Sequence, residues 1–217
     1  MNYNQWIQQT AAIFDRVQQK TSDAKVKIQP PLLTDEAREL SANWKHIPGE
    51  LMDFWLTGSA QISAHYFWQL LPSQQERLFG PNERYLYGGV NFRTADMVFP
   101  GNSADLLEGM DEFRESVGDI AFVWWTEFAI FHDSMNGDCL AIGAEMGDDP
   151  PVYYLSAKDN RSKKIADHFS EFLRDWQTLC FIAPETHLNH WLGPSGRINV
   201  DLYKTAELRT LLLSDLP

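Results

Sequence analysis

Three apolar runs, "AFVWWTEFAIF" (121–131), "CLAIGA" (139–144) and "VYYLS" (152–156), follow one another closely, and the segments between them contain "SMNG" and "EMGDDPP". Runs of this length, rich in Val, Ile, Phe, Trp and Tyr and separated by Gly, Asn, Asp and Pro, read as successive β-strands with tight connections. From Ile165 the pattern changes. Apolar residues fall at 165, 169, 172, 173, 176, 179 and 180, the period of an amphipathic helix that packs on the sheet.

The flanking segments complete the expectation. Residues 3–17 carry apolar side chains at helical spacing, and "TSDAKVKIQPP" after them reads as a linker. A second helix is expected from a Thr34 cap to about Trp44. A third is expected within "IPGELMDFWLTGSA" (47–60), with Pro48 at its first position and Gly58 at its end. "ISAHYFWQLL" (62–71) and "YLYGGVNF" (85–92) read as strands, a Ser103-led helix to about Ser116 follows, and a short helix near Thr205–Leu213 closes the chain. Strands grouped mid-chain between helices predict an α+β fold with a mainly antiparallel central sheet flanked by helices. The expected organisation is an N-terminal helix and linker over 1–33 and one α+β domain over 34–217.

Charge narrows the partners. Residues 96–149 hold 13 acids and one base, Arg114, a surplus equal to the net charge of −12 of the whole chain. Such a block disfavours nucleic acid and suits a basic partner, although it would also serve simply to keep the protein in solution. No run of apolar residues is long enough to span a membrane, and the N-terminus lacks the pattern of a signal peptide. Cys139 and Cys180 lie in apolar runs and read as buried thiols of a cytoplasmic protein.

Residues 131–155 invite sharper chemistry. A catalytic Cys139 would need an exposed thiolate paired with a His, and His132 is in range, but Cys139 alternates with Ala141 and Gly143 on a crowded strand face. A calcium loop starting at Asp133 would place Met135 where an oxygen ligand belongs and Asp138 where the glycine belongs. The run reads better as a hairpin turning at Asn136-Gly137. His187 and His190 lie close together without a zinc spacing, and no nucleotide-binding or nucleophile-elbow motif is present. No catalytic residue, metal or cofactor is expected.

"IPGELMDFWLTGSAQISAHYFWQL", "FHDSMNGDCLAIGAEMGDDPPVYYLS" and "IADHFSEFLRDWQTLCFIAPE" together resemble the SUKH superfamily, in the branch of the fungal cell-wall-synthesis regulator (SMI/KNR) family and its bacterial relatives. The similarity runs from about residue 40 to the C-terminus, and its motif positions are Ile47, Pro48, Phe54, Trp55, Gly58, Gly137, Phe169, Phe172, Leu173 and Trp176. "GSAQ" stands where the family often has Gly-Gly, and Ala157 stands where a histidine is common. The resemblance implies a non-enzymatic α+β domain that binds proteins. For bacterial members it implies an immunity protein that neutralises a secreted polymorphic toxin, nucleases among them. A nuclease presents a basic face to phosphate, which the acidic block would complement. The partner-facing acids are expected on the turns, at Asp133, Asp138, Glu145, Asp148 and Asp149. The alternative is a regulatory or scaffold protein linked to cell-wall synthesis or signalling.

Overall fold

The computed structural model describes residues 1–21, 25–44, 47–98, 128–134, 136–143, 147–159 and 161–214. In chain order the elements are α1 (Tyr3–Gln18), β1 (Lys25–Ile28), α2 (Thr34–Asn43), α3 (Gly49–Thr57), β2 (Ile62–Gln69), α4 (Pro72–Leu78), β3 (Tyr85–Asn91), α5 (Ala95–Val98), β4 (Phe128–Asp133), β5 (Cys139–Gly143), β6 (Val152–Ser156), β7 (Arg161–Ala166), α6 (Phe169–Thr178) and α7 (Tyr203–Leu213). A 3-10 turn, Leu188–Trp191, lies between α6 and α7. The expected Ser103–Ser116 helix and the first part of the expected 121–131 strand lie outside the described residues.

The fold is α+β and its strands pair antiparallel, in two sheets ordered β1-β2-β3 and β4-β5-β6-β7. Among the described residues a single bridge, Phe92 to His132, links them, and the Arg93 N–H donates to the Phe131 carbonyl at 2.9 Å beside it. The sheets meet along this seam rather than forming one continuous ladder, because the segment Phe181–Ala183 covers the rest of the free edge of β3. There the Gly89 N–H donates to Phe181 O at 2.7 Å and the Ala183 N–H donates to Tyr87 O at 2.9 Å.

The helices bury the stripes their sequences carry. In α6, Phe169, Phe172, Leu173, Trp176 and Gln177 are buried, and the Trp176 indole donates to the Ile182 carbonyl at 2.8 Å. In α3, Leu51, Phe54 and Trp55 face the same core, Gly58 is the C-cap, and Ile47 packs at its edge. Pro48 is the N-cap of α3 rather than its first helical residue. The α1 stripe is Tyr3, Trp6, Thr10, Ile13, Phe14 and Val17. Thr10 joins the stripe because Gln177 Nε2 donates to Thr10 Oγ1 at 2.8 Å and to Trp6 O at 2.9 Å, and Ile7 packs half-buried against the same core. The Trp6 indole donates to Leu173 O at 3.1 Å, so α1 is locked to α6 by buried hydrogen bonds as well as by apolar contact.

Two strands depart from expectation. Lys25–Ile28, within the expected linker, forms the edge strand β1 against β2. Arg161–Ala166 forms the other edge, β7, so Ile165 belongs to a strand and α6 begins at Phe169. Both edges carry exposed lysines or arginines, which discourage pairing with another chain. Among the described residues, no helix is long and apolar enough to cross a membrane.

Candidate functional site

The hairpin β4–β5 is the expected one. Asp133 pairs with Cys139 in register, the Ser134 N–H donates to Asp138 O at 2.9 Å, and Gly137 sits at φ +89°, a conformation that favours glycine. A bulge between Ile130 and His132 shifts the register beside the seam, and pairing resumes at His132 with Leu140.

Among the described residues, the structure separates four of the five turn-borne acids. Asp138 is only 3% exposed. Its carboxylate accepts from the Ala157 N–H at 2.7 Å, from Asn136 Nδ2 at 2.8 Å and from the Tyr154 hydroxyl. It therefore organises the turn from inside and is not the solvent-facing acid expected from its place in the loop. Asp133 accepts two hydrogen bonds from Arg93, from Nε at 2.7 Å and from Nη2 at 2.6 Å, which ties the end of β4 to the residues after β3. Asp149 accepts from the Ser170 N–H at 3.1 Å and from Ser170 Oγ at 2.7 Å, so it satisfies a free donor in the first turn of α6. Asp148 is exposed, and its carbonyl accepts the Glu50 N–H at 2.8 Å at the start of α3. The "DDPP" loop thus sets one acid at each of two helix N-termini, where the helix dipoles favour negative charge. Glu145 lies outside the described residues.

His132 and Cys139 do not form a nucleophile and base. Burial lowers His132 to about 3, and its Nδ1 accepts the Asn91 N–H at 3.0 Å. The imidazole is therefore neutral, with its Nδ1 already used by the backbone. Burial and the neighbouring Asp133 push the Cys139 thiol up to about 12, and its Sγ lies 3.7 Å from Asp133 Oδ1. A thiol held protonated beside a carboxylate is the reverse of an activated one. Among the described residues, no three His, Cys, Asp or Glu side chains converge as a metal site would require.

Sequence reading passed over a second acidic feature. Glu36 and Glu39 on α2 and Asp96 on α5 line a groove of about 390 Å³ with Leu32, Leu40, Ala60 and Ala95. All three acids are exposed. Glu36 also accepts the Leu33 N–H at 2.7 Å, half of a capping box. Asp96 opens the acidic block, while Glu36 and Glu39 are remote from it in the chain. Only the packing of α2 beside α5 brings the three together.

Residues 35–175, more than half of the chain, match the model of the SMI1 / KNR4 family (SUKH-1). No curated protein and no solved structure matches the chain.

Proposed function

The chain belongs to the SMI1 / KNR4 family (SUKH-1), and from that premise we propose that it is an immunity protein, binding and neutralising a basic protein toxin through an acidic surface. A toxin that acts on nucleic acid must carry a positive face to approach phosphate. The observation that carries the reading is the charge distribution. Residues 96–149 hold 13 acids and one base, and Asp96 from that block shares a groove with Glu36 and Glu39 over an apolar floor. Carboxylates around an apolar centre suit a partner whose lysines or arginines surround a hydrophobic contact.

The groove also revises which acids would meet the partner. Asp138 and Asp133 are committed within the fold, so the partner-facing set is Glu36, Glu39, Asp96 and Asp148. Complementary charge of this kind speeds encounter and excludes wrong partners more than it adds raw affinity.

The test is co-expression with the product of a neighbouring secreted-toxin gene. Glu36→Lys, Glu39→Lys and Asp96→Lys together should abolish rescue of growth and slow association while the protein stays folded, the lost Glu36 cap costing about 1 kcal/mol of stability. Glu76→Lys and Asp159→Lys, exposed acids elsewhere, should leave rescue intact. Equal behaviour of the two sets would remove the acidic-surface reading.

A further inference from the structure

Where the two sheets diverge, a cleft of about 230 Å³ opens over Gly88 and Gly89. One wall is aromatic, formed by Phe67 and Tyr87, whose ring centres lie 5.3 Å apart. The opposite side brings Asp133 and Ser134, from the end of β4, towards Glu185, from the segment after Ala183. Tyr85, which stacks on Phe67 at 5.0 Å, extends the aromatic surface outward, and both Tyr85 and Tyr87 are exposed.

Two oxygens here lack what buried oxygens need. Among the described residues, Ser134 Oγ and Glu185 Oε2 are shut off from solvent and have no hydrogen-bond partner. A buried acceptor without a donor is unfavourable, so small rotations that present these oxygens to a donor in the cleft would recover that energy. The surrounding charges leave room for a cation. The Arg93 guanidinium is held by Asp133, His132 is neutral because burial depresses it, and Lys25 lies one strand further out, across β2 at His65. Among the described residues, no cation pairs with Glu185, a negative group on an aromatic-walled slot.

We propose that this cleft receives an arginine side chain of the protein partner, its guanidinium stacked on Tyr87 and Phe67 and donating to Glu185 and Ser134. Arginine fits better than lysine because its planar group stacks on aromatic faces and offers several donors at once. A single side chain fits better than a metabolite because the cleft is smaller than the roughly 300–1,000 Å³ usual for small-molecule pockets. An aromatic surface around one buried cation is the composition of an interface hot spot. The proposal rests on the reading of a basic protein partner and names a second point at which that partner is gripped, separate from the α2–α5 groove.

The test needs no partner. The amide spectrum of the labelled protein is titrated with N-acetyl-arginine methylamide at up to tens of millimolar, and in parallel with its citrulline counterpart, which has nearly the same shape and no charge. The arginine probe should shift the amides of Gly88, Gly89, Ser134 and Ala183, and citrulline should shift them at least about tenfold less at equal concentration, a difference of about 1.4 kcal/mol. Glu185→Gln, which keeps the shape of the side chain, should bring the arginine response down to that of citrulline. Equal responses to the two probes, no response to either, or an undiminished arginine response in Glu185→Gln would each overturn the proposal. Failure of the probe with rescue intact removes the cleft alone. Probe binding with no basic protein neutralised removes the toxin reading alone.

Discussion

The Nδ1 of His132 accepts the backbone N–H of Asn91 at 3.0 Å, so a side chain completes the hydrogen bonding of β3 at the seam. His187 does the same from the other end of the strand, its Nε2 accepting the Tyr87 N–H at 3.1 Å. Both rings are buried and act as acceptors, which requires each to be neutral.

Stability should therefore fall with acid. Burial lowers His132 to about 3 and His187 to about 4, below the ordinary 6.5 of the unfolded chain. Above that value neither state is protonated and the contribution is complete. As the pH drops below it, the unfolded chain takes up protons that the native rings refuse. The loss is about 1.4 kcal/mol per pH unit for each ring, and it continues until pH passes the native values. Urea unfolding between pH 7 and about 4.5 should show this slope. His132→Asn and His187→Gln, which retain an acceptor at nearly the same place, should flatten it.

Trp176 meets the seam from below. Its ring lies 5.1 Å from that of His132 and 5.2 Å from that of Phe172, and its indole N–H is satisfied by Ile182 O. Trp176→Ala should cost about 3–5 kcal/mol through the cavity it leaves, measured by chemical denaturation. A change of a few tenths would mean that α6 does not hold the two sheets together.

Gly88 lies under the Tyr66 ring. A Cβ there would fall 2.1 Å from Tyr66 Cζ, and the ring is fixed because its hydroxyl donates to Cys180 O at 2.8 Å. Gly88→Ala should destabilise by about 1–3 kcal/mol as an overpacked core does. Adding Tyr66→Ala should make the pair less costly than the sum of the single changes. Simple additivity would show that the contact carries no strain.

The expected thiol chemistry can be checked directly. Burial pushes both Cys139 and Cys180 up to about 12. A disulfide-exchange reagent at neutral pH should react with neither in the native protein, and with both at the rate of global unfolding. Rapid labelling of Cys139 alone would restore it as a candidate nucleophile.

Much of this fold was legible because apolar spacing and burial coincide. The stripe of α3 and the strands β2, β3, β5 and β6 lie within a residue or two of their expected places, and α6 keeps the expected Phe169, Phe172, Leu173 and Trp176. The two missed strands share a cause. β1 reads "KVKI" beside two prolines and β7 reads "RSKKIA", and both are edge strands whose exposed residues are charged, so periodicity is hidden where the sheet protects itself. In β7, Ile165 also falls in phase with the α6 stripe, so periodicity alone places it in the helix. The site was less legible. Asp138 gains its roles from Tyr154 and Ala157, and Asp149 from Ser170, all 16 to 21 residues away. Nothing local separates an acid that holds a turn together from one that faces a partner.

That separation is open to measurement, one acid at a time. Asp138→Ala removes the acceptor for the Ala157 N–H, the Tyr154 hydroxyl and Asn136 Nδ2, and leaves donors buried, so it should cost about 2–4 kcal/mol. Asp149→Ala removes the acceptor of Ser170 in the first turn of α6 and should cost about 1 kcal/mol. Asp148→Asn and Asp96→Asn, whose residues are exposed, should stay within about 0.5 kcal/mol of the parent. Binding should follow a different order. Asp96→Asn should weaken it by lowering the association rate, with an effect that fades as salt rises. Asp138→Ala should lower the fraction folded while leaving the association rate of the folded molecules unchanged. If the stability costs were equal across the four positions, the hydrogen bonds assigned to Asp138 and Asp149 would not be holding the fold. If Asp138→Ala slowed association in folded protein, the buried acid would belong to the interface after all.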